Sequence, residues 1–224
     1  MPGPASSTTS TAAPAAAEPA VAAAPAPAQI VIPGSRIIPE SLTSTADGTV
    51  IIGSVGARQI YRAAPGAATA EVFIPAGTGD MQGIFGVLAD EASGNLYACS
   101  GNMGPPAEGV TPVPSAMYVF DLKTGAYKAH YPLPTAGAAC NDIAVDAAGT
   151  RYVTDTTNML VATLKRNGEK FEVWAGQDGK FGPTGGVLDG LAVVDGNLYV
   201  NALITSKLFV VPIGADGAAG AVAE

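Results

Sequence analysis

Three oxygen-bearing side chains occupy the same place in three similar stretches of the sequence. Glu40, Asn141 and Asp189 each stand two residues before the aliphatic residue that opens a β-type run. Carboxylate and amide oxygens are hard ligands, suited to Ca²⁺ or another hard divalent cation. If the three runs line one channel, the alternation of side chains along a strand keeps these residues on one defined face. The shared offset therefore predicts a metal site made of Glu40, Asn141 and Asp189, although each residue alone could instead cap a turn by bonding nearby backbone.

Other residues near these positions are expected to contribute less. A fourth similar stretch has Phe85 or Gly86 at the matching place, and neither offers a ligand. Asp142 could extend an acidic mouth, whereas Asp146 precedes an Ala-Ala-Gly turn and is expected to form that turn. The one histidine, His130, falls in an outer run, "KAHYPLP", and is expected at the surface, which argues against Ser-His-Asp and Cys-His catalysis.

The elements that must position these residues are short strands. Beyond residue 30, β-type runs are broken by Gly, Asp, Asn and Pro, and no stretch shows sustained helical spacing. Four segments each follow the order strand, tight turn, strand, and their turn glycines are Gly48, Gly94, Gly149 and Gly196. The intervals of about 46 to 55 residues are typical of the four-stranded antiparallel blades of a β-propeller. The predicted fold is therefore an all-β propeller.

The repeats place the blades near residues 40–77, 83–134, 140–176 and 187–224, the last of them incomplete. A four-bladed ring could close if residues 29–32 supplied the missing outer strand. The alternative, which we favour, is a fragment of a six-bladed propeller with two blades absent. The Pro- and Gly-rich insert 101–115 accounts for the longest interval and could cover the channel as a lid.

The repeats also carry a resemblance to a known family. "CNDIAVDAAGTRYVTDT" from Cys140, "LDGLAVVDGNLYV" from Leu188 and "PESLTSTADG" from Pro39 resemble the family of gluconolactonases, senescence-marker proteins and luciferin-regenerating enzymes, which are six-bladed propellers. The resemblance covers residues from about 36 to 224. Looser forms of the same pattern occur in strictosidine-synthase-like and NHL-type propellers.

The resemblance implies roles for the candidate residues. Glu40 matches the family's first-blade metal ligand, and Asn141, in its "ND" context, matches a substrate-contacting or ancillary metal-site Asn. Asp189 stands where the family has a metal-binding Asn. The family's metal-binding Asp, in a "PDG" context one blade later, would lie beyond Glu224. The implied activity is metal-dependent hydrolysis of a lactone or small ester, with Asp189 and Asn141 as catalytic residues and Glu40, Asn141 and Asp189 as ligands of a divalent metal, Ca²⁺ first.

Composition narrows the classes of partner. A formal charge of −8, with 11 Lys and Arg against 19 Asp and Glu, argues against nucleic-acid binding. We expect a small-molecule substrate and no membrane; the alternative is a non-catalytic propeller that binds a ligand or a protein partner. An open array of blades would expose an apolar face and should aggregate or unfold easily.

The first 29 residues are almost wholly Ala, Pro, Ser and Thr, and they predict a disordered linker. Their prolines exclude a membrane helix, and they contain no recognisable signal peptide. Such a segment is typical of a trimmed exported protein or of a tether in a longer chain, and we favour a secreted or periplasmic location. For Cys99 and Cys140, in adjacent blades, separate apolar packing is expected rather than a disulfide or a nucleophile.

Overall fold

The structure, a computed structural model, describes residues 29–102 and 112–224. These residues form antiparallel sheets and a single three-residue 3₁₀ turn, Thr78–Asp80. The all-β propeller predicted from the repeat is confirmed. In the described part of the chain, no helix is long and apolar enough to cross a bilayer. The predicted linker, apart from residue 29, and most of the predicted lid fall outside the described residues.

Each blade is a sheet whose strands follow one another in sequence order. Blade 1 contains β1 (Pro39–Ser44), β2 (Val50–Ser54), β3 (Gln59–Ala63) and β4 (Glu71–Ile74). Blade 2 contains β5 (Gly83–Asp90), β6 (Asn95–Gly101), β7 (Ala116–Asp121) and β8 (Tyr127–Pro132). Blade 3 contains β9 (Cys140–Val145), β10 (Arg151–Asp155), β11 (Leu160–Leu164) and β12 (Glu172–Ala175). Blade 4 contains β13 (Leu188–Val194), β14 (Asn197–Ala202) and β15 (Lys207–Pro212).

The turn between the first two strands of every blade requires a left-handed backbone. The turn glycines have φ values of 90° at Gly48, 66° at Gly94, 82° at Gly149 and 73° at Gly196. Only glycine adopts these values without steric cost. The repeat detected from these glycines is therefore a repeat of backbone conformation.

Apolar side chains between consecutive blades form the core. Alternate residues of each sheet face opposite neighbours, so every blade contributes to two clusters. Ile51 and Ile60 of blade 1 pack against blade 2, Met117 and Val119 of blade 2 pack against blade 3, and Tyr152 of blade 3 packs against blade 4. The innermost strands β1, β5, β9 and β13 contact one another in that order, and no comparable contact joins β13 back to β1 in the described residues. Within the described residues, blades 1 and 4 do not pack against each other. Each of these two blades therefore has one face without a neighbouring blade, which we call its free face.

The two free faces differ. On blade 1, the chain ahead of β1 folds over the outer part of the sheet, where Ile30, Ile32 and Ile37 pack against Ile52 and Tyr61. The explanation in which residues 29–32 complete the outer edge of blade 4 is therefore wrong. Part of the sequence after β15 lies along that edge instead, through an antiparallel bridge between Val210 and Ala223. The free face of blade 4 keeps exposed apolar side chains, including Tyr199 and Leu208.

Candidate functional site

Every innermost strand contains a β-bulge at the same place. In each blade, a stretch of three residues along the innermost strand pairs with a stretch of two along the second strand. The innermost strand therefore carries one extra residue at this place. The residues inside the bulge are Glu40 and Ser41, Phe85 and Gly86, Asn141 and Asp142, and Asp189 and Gly190. Bulges redirect side chains and recur beside active sites. The three predicted ligands thus share the first bulge position, with Phe85 in the second blade.

Contacts between neighbouring blades place the bulges at one level. The Ser41 hydroxyl accepts a hydrogen bond of 3.2 Å from the Val87 N–H, and the Asp142 carboxylate accepts one of 3.0 Å from the Leu191 N–H. Between blades 2 and 3, Gly86 occupies the bulge position equivalent to Ser41 and Asp142. A Cβ there would lie 2.5 Å from the Asn141 carbonyl oxygen, so only glycine permits this approach of the backbones. All four bulges therefore meet at the same end of the channel.

Three carboxylates come together at this end, and we name Glu40, Asp142 and Asp189 the acidic mouth. The pKa of Glu40 is raised from 4.5 to about 7, first because the surrounding chain partly desolvates the carboxyl, and then because Asp189 and Asp142 repel its charge. Desolvation also raises the pKa of Asp142, and Asp189 adds to that rise, while hydrogen bonds from the Leu191 and Ile143 N–H groups oppose it. No described Lys or Arg forms an ion pair with any of the three.

The carboxylates of the acidic mouth and the neighbouring Asn141 amide suit a hard cation, because such ions prefer oxygen ligands. The spacing of these groups does not make a ready cage: within 29–102 and 112–224, no three His, Cys, Asp or Glu side chains are grouped closely enough to hold a metal ion. Asp142 has one oxygen already engaged by Leu191. An ion at this place would take Glu40, Asn141 and Asp189 as partial ligands and complete its coordination with water or a substrate oxygen. The metal site therefore stays a prediction.

Thr154 supports the site and was not anticipated from the sequence. Its fully buried hydroxyl accepts a hydrogen bond of 3.0 Å from the Asp142 N–H and donates one of 2.8 Å to the Asp189 carbonyl. It thereby joins the bulges of blades 3 and 4. The signal that could have identified it is an alignment of the second strands. The residues opposite the bulges in that alignment are Gly53, Cys99, Thr154 and Asn201.

The expectation for the cysteines is wrong. Cys99 and Cys140 form a disulfide with their Cα atoms 5.2 Å apart, within the usual range for such bonds. The reason is the position of the two residues. Cys99 stands opposite the bulge of blade 2 and faces blade 3, whose innermost strand begins at Cys140. The bond therefore links two blades immediately before Asn141.

Two residues outside the acidic mouth, Asp146 and His130, behave as expected. Asp146 accepts hydrogen bonds from the Thr150 N–H and the Tyr152 hydroxyl, so it organises its turn. His130 lies exposed on β8, with Nδ1 2.8 Å from the Tyr127 hydroxyl oxygen. Both stand apart from the acidic mouth.

A cavity of about 750 Å³ lies between blades 2 and 3 beside the acidic mouth. Phe85 and Asn141, both first bulge residues, contribute to its wall. Asn141 thus belongs both to the ring of bulges and to the cavity.

Comparison with solved structures supports the propeller fold. A catalytically inactive variant of virginiamycin B lyase from Staphylococcus aureus, crystallised with quinupristin, matches with a TM-score of 0.63 and 15% identity over 86% of this chain and 57% of that one. A protein of unknown function from Bacteroides thetaiotaomicron matches with a TM-score of 0.57 and 12% identity over 82% of this chain and 42% of that one. This chain thus spans about half the length of these two proteins. At these identities the likeness establishes the fold alone.

No known family's sequence profile matches the chain, and no curated protein matches it either. Membership of the gluconolactonase family is therefore not confirmed, whereas the propeller fold that the resemblance implied is.

Proposed function

We propose that this chain is a hydrolase-like propeller that opens a lactone or small ester at its acidic mouth, with a divalent cation, Ca²⁺ first. The observation that carries the proposal is the convergence of Glu40, Asp142 and Asp189 without a described cationic partner. The pKa of Glu40 is raised to about 7, first by desolvation and then by the charges of Asp189 and Asp142. Strongly perturbed carboxyl groups gathered in a concave place are typical of functional sites. A propeller of similar fold is an enzyme, virginiamycin B lyase, which shows that chemistry can be built on such a scaffold.

Glu40 and Asp189 of the acidic mouth and the neighbouring Asn141 have different roles in this reaction. Glu40 changes its protonation near neutral pH, so it can take the proton of an attacking water molecule. Asp189 repels the charge of Glu40 and adds to the rise of its pKa, after the larger effect of desolvation. The Asn141 amide, on the wall of the cavity, orients the substrate carbonyl. A divalent cation held by Glu40, Asn141 and Asp189 would supply Lewis-acid polarisation of the carbonyl and offset the crowded negative charge.

The test is lactone opening followed in a pH-stat, with and without a chelator. Glu40→Gln and Asp189→Asn keep the side-chain shape and remove one charge each, so both should lower kcat at least tenfold and weaken Ca²⁺ binding measured by calorimetry. Asn141→Ala should lower turnover while leaving the carboxylates in place. Glu169→Gln, an exposed residue between β11 and β12, is the matched control. Activity that survives in all three variants, or that a chelator leaves unchanged, would refute the metal-hydrolase proposal.

The second candidate function is a non-catalytic propeller that binds a ligand or a protein partner. It is favoured by the apolar face of blade 4 that no residue within 29–102 and 112–224 covers, where Tyr199 and Leu208 are exposed. Contiguous exposed apolar surface marks interaction sites in soluble proteins. Binding that depends on Tyr199 and Leu208, together with no lactone opening at any pH from 5 to 9, would favour this function over the hydrolase.

A further inference from the structure

We infer that the cavity between blades 2 and 3 binds an uncharged, mainly apolar group, such as the alkyl side of a lactone or ester, with a carbonyl directed at Asn141. The inference rests on the proposed function for the identity of the reaction, and it specifies the class of substrate.

The described part of the cavity wall is built from uncharged side chains. It includes Phe85, Val113, Leu133 and Ala138, and no charged residue. At about 750 Å³ the cavity has the size of pockets that enclose ligands of 300–1,000 Å³, and apolar walls of this kind bind by removing ligand surface from water. A sugar-like ligand, with a hydroxyl on nearly every carbon, would lose more hydrogen bonds to water than this wall can replace.

The polar groups of the wall are mostly committed to the protein. The Ser115 hydroxyl donates to the Ser100 carbonyl, the Thr135 hydroxyl to Asp155, and the Thr156 hydroxyl to the Leu188 carbonyl. Ser115 also accepts from the Cys140 N–H. These groups hold the blades together and have little capacity left for a ligand.

Asn141 and Thr157 are the exceptions, since both line the cavity and neither side chain has a hydrogen bond within the described residues. The half-buried side-chain amide of Asn141 can both donate and accept. It stands in the bulge next to Asp142, so a carbonyl bound to Asn141 would lie beside the acidic mouth. A mainly apolar wall with few uncommitted polar side chains selects a molecule with a small polar end and a hydrocarbon body.

Binding can be measured apart from catalysis with 2-alkylcyclopentanones, which carry the carbonyl and the chain but no ester bond. By calorimetry, each added methylene should tighten Kd by up to about fourfold, the equivalent of roughly 0.8 kcal/mol per buried CH₂. Asn141→Ala should weaken binding about two- to tenfold, as the loss of one hydrogen bond does.

Variants of the wall locate the binding. Ala138→Phe narrows the cavity and should abolish the dependence on chain length. Phe85→Ala, which removes an aromatic contact and adds no bulk, should weaken the longer ketones most, and it tests the same point if Ala138→Phe does not fold. Leu208→Ala, on the exposed face of blade 4, is the control for adsorption to bare apolar surface and should leave Kd unchanged.

The outcomes separate this inference from the proposed function. Chain-dependent ketone binding that the wall variants reduce, in a protein that opens no lactone, would uphold the inference and refute the hydrolase. Turnover of polar sugar lactones, with ketone affinity indifferent to chain length, would refute the inference and leave the hydrolase standing. Binding lost only in Leu208→Ala would also overturn the inference.

Discussion

The carboxylate of Asp142 in blade 3 accepts a hydrogen bond of 3.0 Å from the backbone N–H of Leu191 in blade 4. The pKa of Glu40 is raised first by desolvation and then by Asp189, and repulsion from the same Asp142 carboxyl adds to that rise. Asp142 therefore joins two blades and also charges the acidic mouth. Ser41 makes the equivalent contact between blades 1 and 2 with a neutral hydroxyl, which shows that the joint itself does not require a charge.

Replacing Asp142 should separate these two contributions. Asp142→Ala leaves the Leu191 N–H without its partner and should lower the free energy of unfolding by about 1–3 kcal/mol. Asp142→Asn keeps an acceptor oxygen and should cost clearly less. Urea denaturation measures both, and hydrogen exchange at the Leu191 amide should be faster in Asp142→Ala than in Asp142→Asn. Equal stability of the two variants would contradict the role of this hydrogen bond.

Stability should fall as pH rises through the range in which Glu40 titrates. Below about pH 4.5 the carboxyl is protonated in both the folded and the unfolded chain. Between 4.5 and about 7 the folded chain retains a proton that the unfolded chain has released, so the free energy of unfolding decreases with pH, and above 7 the full cost is present. The raised pKa of Asp142 acts in the same direction.

Thermal melts from pH 4.5 to 8 measure this slope. Glu40→Gln stays neutral at every pH, so it should reduce the slope and should melt higher than the parent at pH 8. Glu169→Gln should leave the slope as it is. A melting temperature that rises from pH 5 to 7 in the parent, and equally in Glu40→Gln, would contradict a raised pKa of Glu40 in the folded chain.

The fold could be predicted from the sequence because its repeat is local. Gly48, Gly94, Gly149 and Gly196 mark four turns of one kind, and each turn fixes the two strands beside it. The covering of blade 1 could not be predicted in this way. Ile30 and Ile32 look like the start of a strand, and only the assembled sheet shows that Ile52 and Tyr61 offer them a surface.

The site was predictable in part for a related reason. The shared offset of Glu40, Asn141 and Asp189 is visible along the chain and corresponds to the bulge. The bond between Cys99 and Cys140 is not visible, because it depends on which residue of β6 stands opposite the bulge and therefore faces the next blade. A contact between repeats can be predicted only when the register of both strands is known, whereas a pattern within a repeat is visible in the sequence.

The disulfide should contribute substantially to stability. Closing a loop between residues 41 positions apart removes chain entropy from the unfolded state worth about 4 kcal/mol. The double replacement Cys99→Ala with Cys140→Ala should therefore unfold at markedly lower urea concentration, as should the reduced parent. Peptide mapping without reductant should recover Cys99 and Cys140 in one linked pair. Two thiols that react freely in the denatured, unreduced protein would contradict the bond.

The two ends of the array should behave differently in solution. Ile30, Ile32 and Ile37 pack over part of blade 1, whereas Tyr199 and Leu208 remain 36% and 58% exposed on blade 4. The register pairs Ala192 with Tyr199 and Asn201 with Leu208, so these side chains share one face of the sheet. Since consecutive blades pack through such faces, we expect this one to drive association of the isolated chain as its concentration rises.

Light scattering coupled to size exclusion measures this association. Leu208→Lys together with Tyr199→Lys places charge on the face and should return the protein to a monomer, because burying two unpaired ammonium groups against another apolar surface costs more than the contact gains. Val72→Lys, which charges an exposed position on blade 1, should leave the association unchanged. A parent that stays monomeric at millimolar concentration, with a sharp thermal transition, would mean that the open face of blade 4 is tolerated in water. Association abolished by Val72→Lys alone would instead place the contact on blade 1.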